Sequence, residues 1–349
     1  MKINLYAMLK TLLFTLENGK SISSGMQLLA NTASTKREKK AFLKIYHEIQ
    51  DGSTFSHALK SNNIGSSDVL QFISMAEKGV SFKIALTKII HYLEVKEEYE
   101  RESNDKTSVP FIYFSLATLI VIGVKFIAIP YQMEEAEGYS KEMLKIIGDH
   151  LLIAQLMSDI LFISLIIVAS YFILLMTALF SYSNTIQGIA KQIGLILPFI
   201  SKIVVKFEKF TLFSMIGEML QSGISFKKSI QSAIDTSNVR SFKKALKESL
   251  HSIQNDGKFI LHSTLYDELE KGLLIGVGTS HQIGEVMNEI SNRARTDALR
   301  LTTKFFRMIT AMSIFLMAFA VFIEFYTVVL TQILIQKGLI DLTRGPGAF

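Results

Sequence analysis

The sequence predicts an all-α integral membrane protein: three transmembrane helices joined to two homologous cytoplasmic helical bundles. Three observations lead there. The apolar stretches Val109–Tyr131, Ile160–Tyr182 and Met308–Thr331 are each at least ~20 residues long, enough for an α-helix to cross a bilayer core. The rest of the chain follows helical spacing with little β-type alternation, and it holds only four prolines. Finally, two polar segments of similar size resemble each other. Of the 349 residues, 49% are hydrophobic. That is high for a soluble chain, yet only roughly 70 residues lie in the spans, so most of the chain is outside the bilayer.

The N-terminal stretch is too short to span and is interrupted by Lys10 and Glu17, so no signal peptide is expected. Leu5, Met8, Leu9, Leu12, Leu13 and Leu16 follow a 3,4 spacing, which reads as an amphipathic helix over about residues 4–17. It stops at Asn18-Gly19, where glycine can take the left-handed terminating conformation. Ser21 or Ser23 caps a second helix to about residue 33. A third covers about 36–50 and ends at Asp51-Gly52. Ser53-Thr54 starts a short fourth and Ser66-Ser67-Asp68 a fifth. A long polar sixth runs through about 82–105 into the first span. A second bundle over about 205–305 runs into the last span through Arg293, Arg295, Arg300, Lys304 and Arg307.

The two bundles are related by an internal repeat. Residues 15–50 align with 219–254 at a constant offset of 204. Leu16 meets Leu220, Gly19 meets Gly223, Met26 meets Ile230, Thr32 meets Thr236, and Lys39-Lys40-Ala41 meet Lys243-Lys244-Ala245. The shared positions are helix-core and turn positions, which a duplicated helical domain retains.

Charge gives the orientation. Residues 1–108 hold 15 Lys/Arg and residues 183–307 hold 17. The 132–159 loop holds two against six acidic residues, and the tail after residue 331 holds two. Lys/Arg excess marks the cytoplasmic side, so both large segments are expected inside, and the loop and tail outside. The net charge of +6 follows from that topology, and no nucleic-acid partner is required. Basic cytoplasmic surfaces also favour anionic lipid.

No constellation for catalysis is present, so a non-enzymatic role without a metal or cofactor is expected. There is no cysteine, hence no disulfide or thiolate site. Gly19-Lys20-Ser21 looks like the end of a phosphate loop, but Phe14 stands where that motif needs glycine, and Gly223-Ile224-Ser225 lacks the lysine. The seven histidines are scattered without metal-ligand spacing. Glu94, Glu97, Glu98, Glu100 and Glu102 form an acidic run on the sixth helix: a solvated face, a docking face for a basic partner, or a weak cation site. The strongest functional candidates are Lys125 and Glu324, charges inside spans that cost ~2.5–3.5 kcal/mol at the membrane centre. Counted from Pro110 and from Arg307 they fall at nearly the same depth. Three readings follow: a snorkelling Lys125, a Lys125–Glu324 ion pair, or a contact between Lys125 and an acidic partner helix.

Two helical domains, each leading into a span with an extra span between, resemble the platform proteins of type II secretion and type IV pilus machines, the secretion F family. The most specific stretch is Leu197-Pro198-Phe199-Ile200 followed by Phe207-Glu208-Lys209-Phe210 through Glu218-Met219-Leu220-Gln221-Ser222-Gly223. It is similar to the family's Leu-Pro turn, helix, and Leu-x-x-Gly before the next helix. Ala76-Glu77-Lys78-Gly79 resembles the family's Gly-Glu-x-x-Gly turn, and Pro110 and Pro130 bracket the first span as family prolines do. The N-terminus resembles the shorter type IVb pilus members. The resemblance implies an inner-membrane platform for pilus or pseudopilus assembly. Its implied partners are a hexameric secretion ATPase, pilin or pseudopilin transmembrane helices, other inner-membrane assembly proteins, the lipid bilayer and further copies of itself. The division is then a cytoplasmic domain at 1–108, spans at 109–131, 160–182 and 308–331, a periplasmic loop at 132–159, a second cytoplasmic domain at 183–307 and a periplasmic tail at 332–349. The alternatives are a small oligomeric transporter or channel, or a membrane signalling adaptor.

Overall fold

A computed structural model describes residues 3–78, 82–138, 141–180, 184–256 and 261–344. Among them every regular element is helical. The chain divides into two compact units. One comprises Met1–Glu102 and Met176–Leu301, the other Ser103–Leu175 and Thr302–Phe349. Both large polar segments therefore fall within one unit.

The first unit opens with six helices: α1 (Leu5–Glu17), α2 (Ile22–Thr32), α3 (Lys36–Gln50), α4 (Phe55–Ser61), α5 (Ser67–Glu77) and α6 (Phe82–Asp105). Their starts follow from local side chains. Asn4, Ser21, Thr35 and Thr54 each accept a hydrogen bond from a backbone N–H of the first turn, satisfying donors that a helix leaves open. Met8, Leu9, Leu12, Met26, Ile45, Leu59, Phe72 and Ile89 form the buried face.

Its second half contains α10 (Asn184–Gly194), α11 (Ile200–Gln221), α12 (Phe226–Thr236), α13 (Arg240–Asp256), α14 (Glu268–Ile275) and the start of α15 (Ser280–Arg344). The ends of α1 and α11, both ends of α2 and α12, and the starts of α3 and α13 are each separated by 204 residues. The caps match as well: Ser21 and Ser225 precede α2 and α12 in extended conformation, and Ala33 and Ser237 follow them with ψ of 130° and 132°. The halves pack directly. α12 lies against α5, and Tyr99 of α6 sits on Phe207 and Phe210 at centroid distances of 5.1 and 5.4 Å.

The second unit carries α7 (Ser108–Gly123), a π turn (Val124–Ala128), α8 (Ile129–Glu137), α9 (Lys141–Phe180) and the rest of α15. Among the described residues, three helical stretches are long and apolar enough to cross a membrane, over Phe82–Glu135, Ile147–Leu179 and Ser280–Lys337. Large apolar side chains face outward along them, among them Leu119, Ile127, Ile160, Ile163, Phe315 and Phe325, as lipid-facing surfaces do. Pro110 takes the third position of α7, where its missing N–H has no helical partner to lose. Pro130 cannot donate to Phe126, and the turn before it widens: the Ile129 N–H reaches back to Val124 O, a π spacing.

Residues 132–159 differ from the expected loop. Among the described residues of this stretch all but Gly138 are helical, as α8 and the start of α9. The reason is a buried stripe at Ile147, Leu151, Ala154, Ser158 and Leu161, a 3,4 pattern that the acidic residues mask when charge alone is counted. The tail is also helical as far as Arg344. Leu334 and Ile335 pack on Ile147 and Leu151.

Candidate functional site

Lys125 lies within the π turn of the first span. Its ammonium pairs with the carboxylate of Asp159 on α9 and lies 5.3 Å from the centroid of the Phe162 ring. Both groups are partly exposed. The ion pair thus exists, but with Asp159 instead of Glu324, which is exposed on α15. Register explains the difference. α7–α8 and α9 run antiparallel, with Phe111 and Phe114 against Phe172, Lys125 against Asp159 and Phe126 against Phe162. α9 and α15 pair Phe172 with Phe306 and His150 with Tyr326. Followed across both registers, the level of Lys125 on α15 falls roughly six residues before Glu324, or about 9 Å along the helix. Counting from Pro110 and from Arg307 puts them level because it ignores how far each helix extends. Asp159 was not singled out in the sequence because it closes the segment read as an external loop.

Gly19 and Gly223 occupy corresponding turns. Each follows a helix with positive φ, 73° and 84°. The Gly19 N–H donates to Leu16 O and the Lys20 N–H to Thr15 O; the Gly223 N–H donates to Leu220 O and the Ile224 N–H to Met219 O. The six-to-one and inner bonds of a left-handed helix terminus are both made. Glu77, the last residue of α5, reaches the start of α4. It accepts from the Phe55 N–H at 2.5 Å, from the Ser56 N–H and from the Ser56 hydroxyl, so a carboxylate sits on the positive end of that helix. Gly79 lies outside the described residues. Pro198 lies in the turn between α10 and α11, where Phe199 is held at φ 67°.

Buried charges knit the first unit. Lys191 Nζ donates to Glu208 Oε2 at 2.7 Å, and Oε1 of Glu208 accepts from the Ser237 hydroxyl and the Asn238 N–H. Burial pulls the Glu208 carboxyl upward, but the Lys191 charge and these donors outweigh it and hold its pKa below the usual value. Asp68 accepts from Tyr92 Oη and from Lys96 Nζ. Burial again opposes, and the Lys96 ammonium prevails, keeping the carboxyl well below its ordinary range. Burial beside Asp68 pushes the Tyr92 hydroxyl well up. Both pairs line a cleft of about 940 Å³ to which Arg37 and Glu100 also contribute.

A third junction joins α6 to α11. Buried Glu218 accepts from Asn288 Nδ2 at 2.9 Å and lies 3.0 Å from His91 Nδ1, while Lys88 Nζ donates to Gln221 at 2.6 Å. The acidic run on α6 also has an internal partner. Arg295 contacts Glu98 and Glu102, each at 3.0 Å. Neither junction was legible in the sequence, since the partners lie 70 or more residues apart.

No curated protein matches the chain. Residues 8–130, which run from α1 through the first span to Pro130 and make up about a third of the chain, match the family described as type II secretion system (T2SS), protein F.

Proposed function

We propose that the chain is an inner-membrane platform for assembling a type IV pilus or a type II secretion pseudopilus. The observation that carries this reading is a protein F domain on a chain whose second polar half repeats the helix ends, caps and glycine turns of the first. The two halves are copies of one domain, both in the cytoplasm, with the C-terminus in the periplasm. The protein catalyses nothing itself. A ring ATPase acts on the cytoplasmic unit, and its motion reaches the spans through helices continuous in the chain, α15 above all. The spans receive pilin-type transmembrane helices and pass them to the filament, with several copies of the chain and other inner-membrane proteins around them. Glu324, an exposed acidic residue in the third span, presents a contact point for such a helix. The Lys125–Asp159 pair offers either partner to a competing charge.

The test is loss of filament assembly on deletion of the gene, restored by the wild-type chain. Glu324→Ala should leave protein level unchanged and reduce filament assembly. Normal filaments in the deletion strain would refute the platform role and favour a channel or adaptor.

A further inference from the structure

Helix α10 is inverted relative to a helix in water. Its buried face carries Gly188, Ala190, Lys191 and Gly194. Lys191 is sealed against Glu208 at 2.7 Å. A Cβ on Gly194 would come within 2.9 Å of Ile200 Cγ2, and one on Gly188 within 3.3 Å of Asn238 Oδ1, so small residues bring this face close to its neighbours. The outward face is apolar apart from Gln192. Ile189 is 56% exposed and Ile193 47%, and the turn into α11 adds Ile196 at 82% and Phe199 at 62%. Ile189, Ile193 and Ile196 share one helical face. An amphipathic helix against water points its lysine out and its isoleucines in. Here the lysine is locked in and the isoleucines face out.

Position in the chain indicates what covers them. α10 begins four residues after Phe180 ends α9, and α9 contains the membrane-crossing segment Ile147–Leu179. Four residues extend at most about 14 Å, so the start of α10 is tethered close to the polar boundary of the bilayer. From residue 184 to residue 199 the one charged residue is Lys191, and it is turned away from the stripe. Among the described side chains the one polar residue on the outward face is Gln192, an uncharged amide that the headgroup boundary can solvate, so no charge on that face opposes entry into lipid. Phe199 holds a positive φ, uncommon for a bulky residue, while it remains on the exposed surface.

We infer that α10 and the turn through Phe199 form an interfacial membrane helix. Its isoleucine stripe enters the boundary between headgroups and acyl chains, and the buried Lys191–Glu208 pair fastens its other face to the soluble unit. This rests on the membrane spans alone and is independent of any pilus role.

The chain has no cysteine, so single-cysteine variants Ile189→Cys and Ile193→Cys can be labelled with a fluorophore in the full-length protein in lipid vesicles. Phe14→Cys, at an exposed position of α1, is the aqueous control. Labels at 189 and 193 should be quenched by lipid-attached quencher and lose the iodide quenching seen at 14. Iodide quenching at 189 and 193 equal to that at 14 would overturn the inference. So would shielding from both quenchers together with disulfide cross-linking between chains, which would make the stripe a protein interface.

Discussion

Glu208 shows how a single carboxylate can organise a helical unit. It collects a lysine, a serine hydroxyl and a backbone N–H, and these donors hold it ionised although it is buried. Its folded pKa is depressed, so the stability it contributes is present above the ordinary carboxylate pKa and is lost as pH falls through the folded value. The same sign applies to Asp68. Thermal unfolding of the purified protein should therefore show a midpoint that falls on acidification below about pH 4. Lys191→Met leaves Glu208 buried without its cation and should cost about 3–5 kcal/mol, while Lys191→Met with Glu208→Gln should cost less. A single variant as stable as the wild type would show that the pair carries no such burden. At Gly19 a Cβ meets nothing within 4 Å, so the penalty for a side chain there is conformational. Gly19→Val and Gly223→Val should each destabilise by about 1–2 kcal/mol, with asparagine milder than valine, read from unfolding midpoints. These glycines were legible in the sequence because a helix stop is a local event. The partners of Glu208 were not, because Lys191, Ser237 and Asn238 meet it only through tertiary packing.

Among the elements, α1 to α6 were readable nearly residue by residue, because Ser21, Thr54 and Ser66 mark their starts and Gly19 and Gly52 their stops. α8, the first part of α9 and α10 were not. Acidic residues between 132 and 159 suggested a loop, although Ile147, Leu151, Ala154 and Ser158 form a buried helical stripe. α10 is short and turns its apolar face outward, so its pattern does not announce what it packs against. The helical continuation of α9 changes the chemistry of the spans, since it brings Asp159 to Lys125. Replacing either with alanine strands the other and should reduce the amount of protein in membranes, and the double replacement should restore part of it. Immunoblots of membrane fractions check this. Equal loss in the single and double variants would indicate that the two charges act separately. Pro130→Ala returns a backbone donor to the π turn and should shift the Lys125 register, weakening the pair without removing either charge.

For the whole molecule, the three spans and the all-helical class came from hydropathy and helical spacing, and the offset of 204 between matching segments of the two halves from the sequence itself. The joining of both halves in one unit did not, because it depends on side chains such as Glu218, His91 and Arg295 meeting across the chain. On the topology proposed from the charge distribution, both halves lie on one side of the membrane. With no native cysteine, introduced cysteines at exposed positions 60 and 247 should react with a membrane-impermeant reagent only after lysis. One at 337 should react in intact cells with a permeabilised outer membrane. The platform role itself is tested most directly by cross-linking in living cells. A photoreactive residue at an exposed position of the first unit, such as 247, and another at exposed Phe325, beside Glu324, would be compared in the same strain. The account predicts an adduct with a ring ATPase from the first and an adduct with a pilin-type transmembrane helix from the second. Abundant protein giving neither adduct, in cells that build filaments, would contradict it.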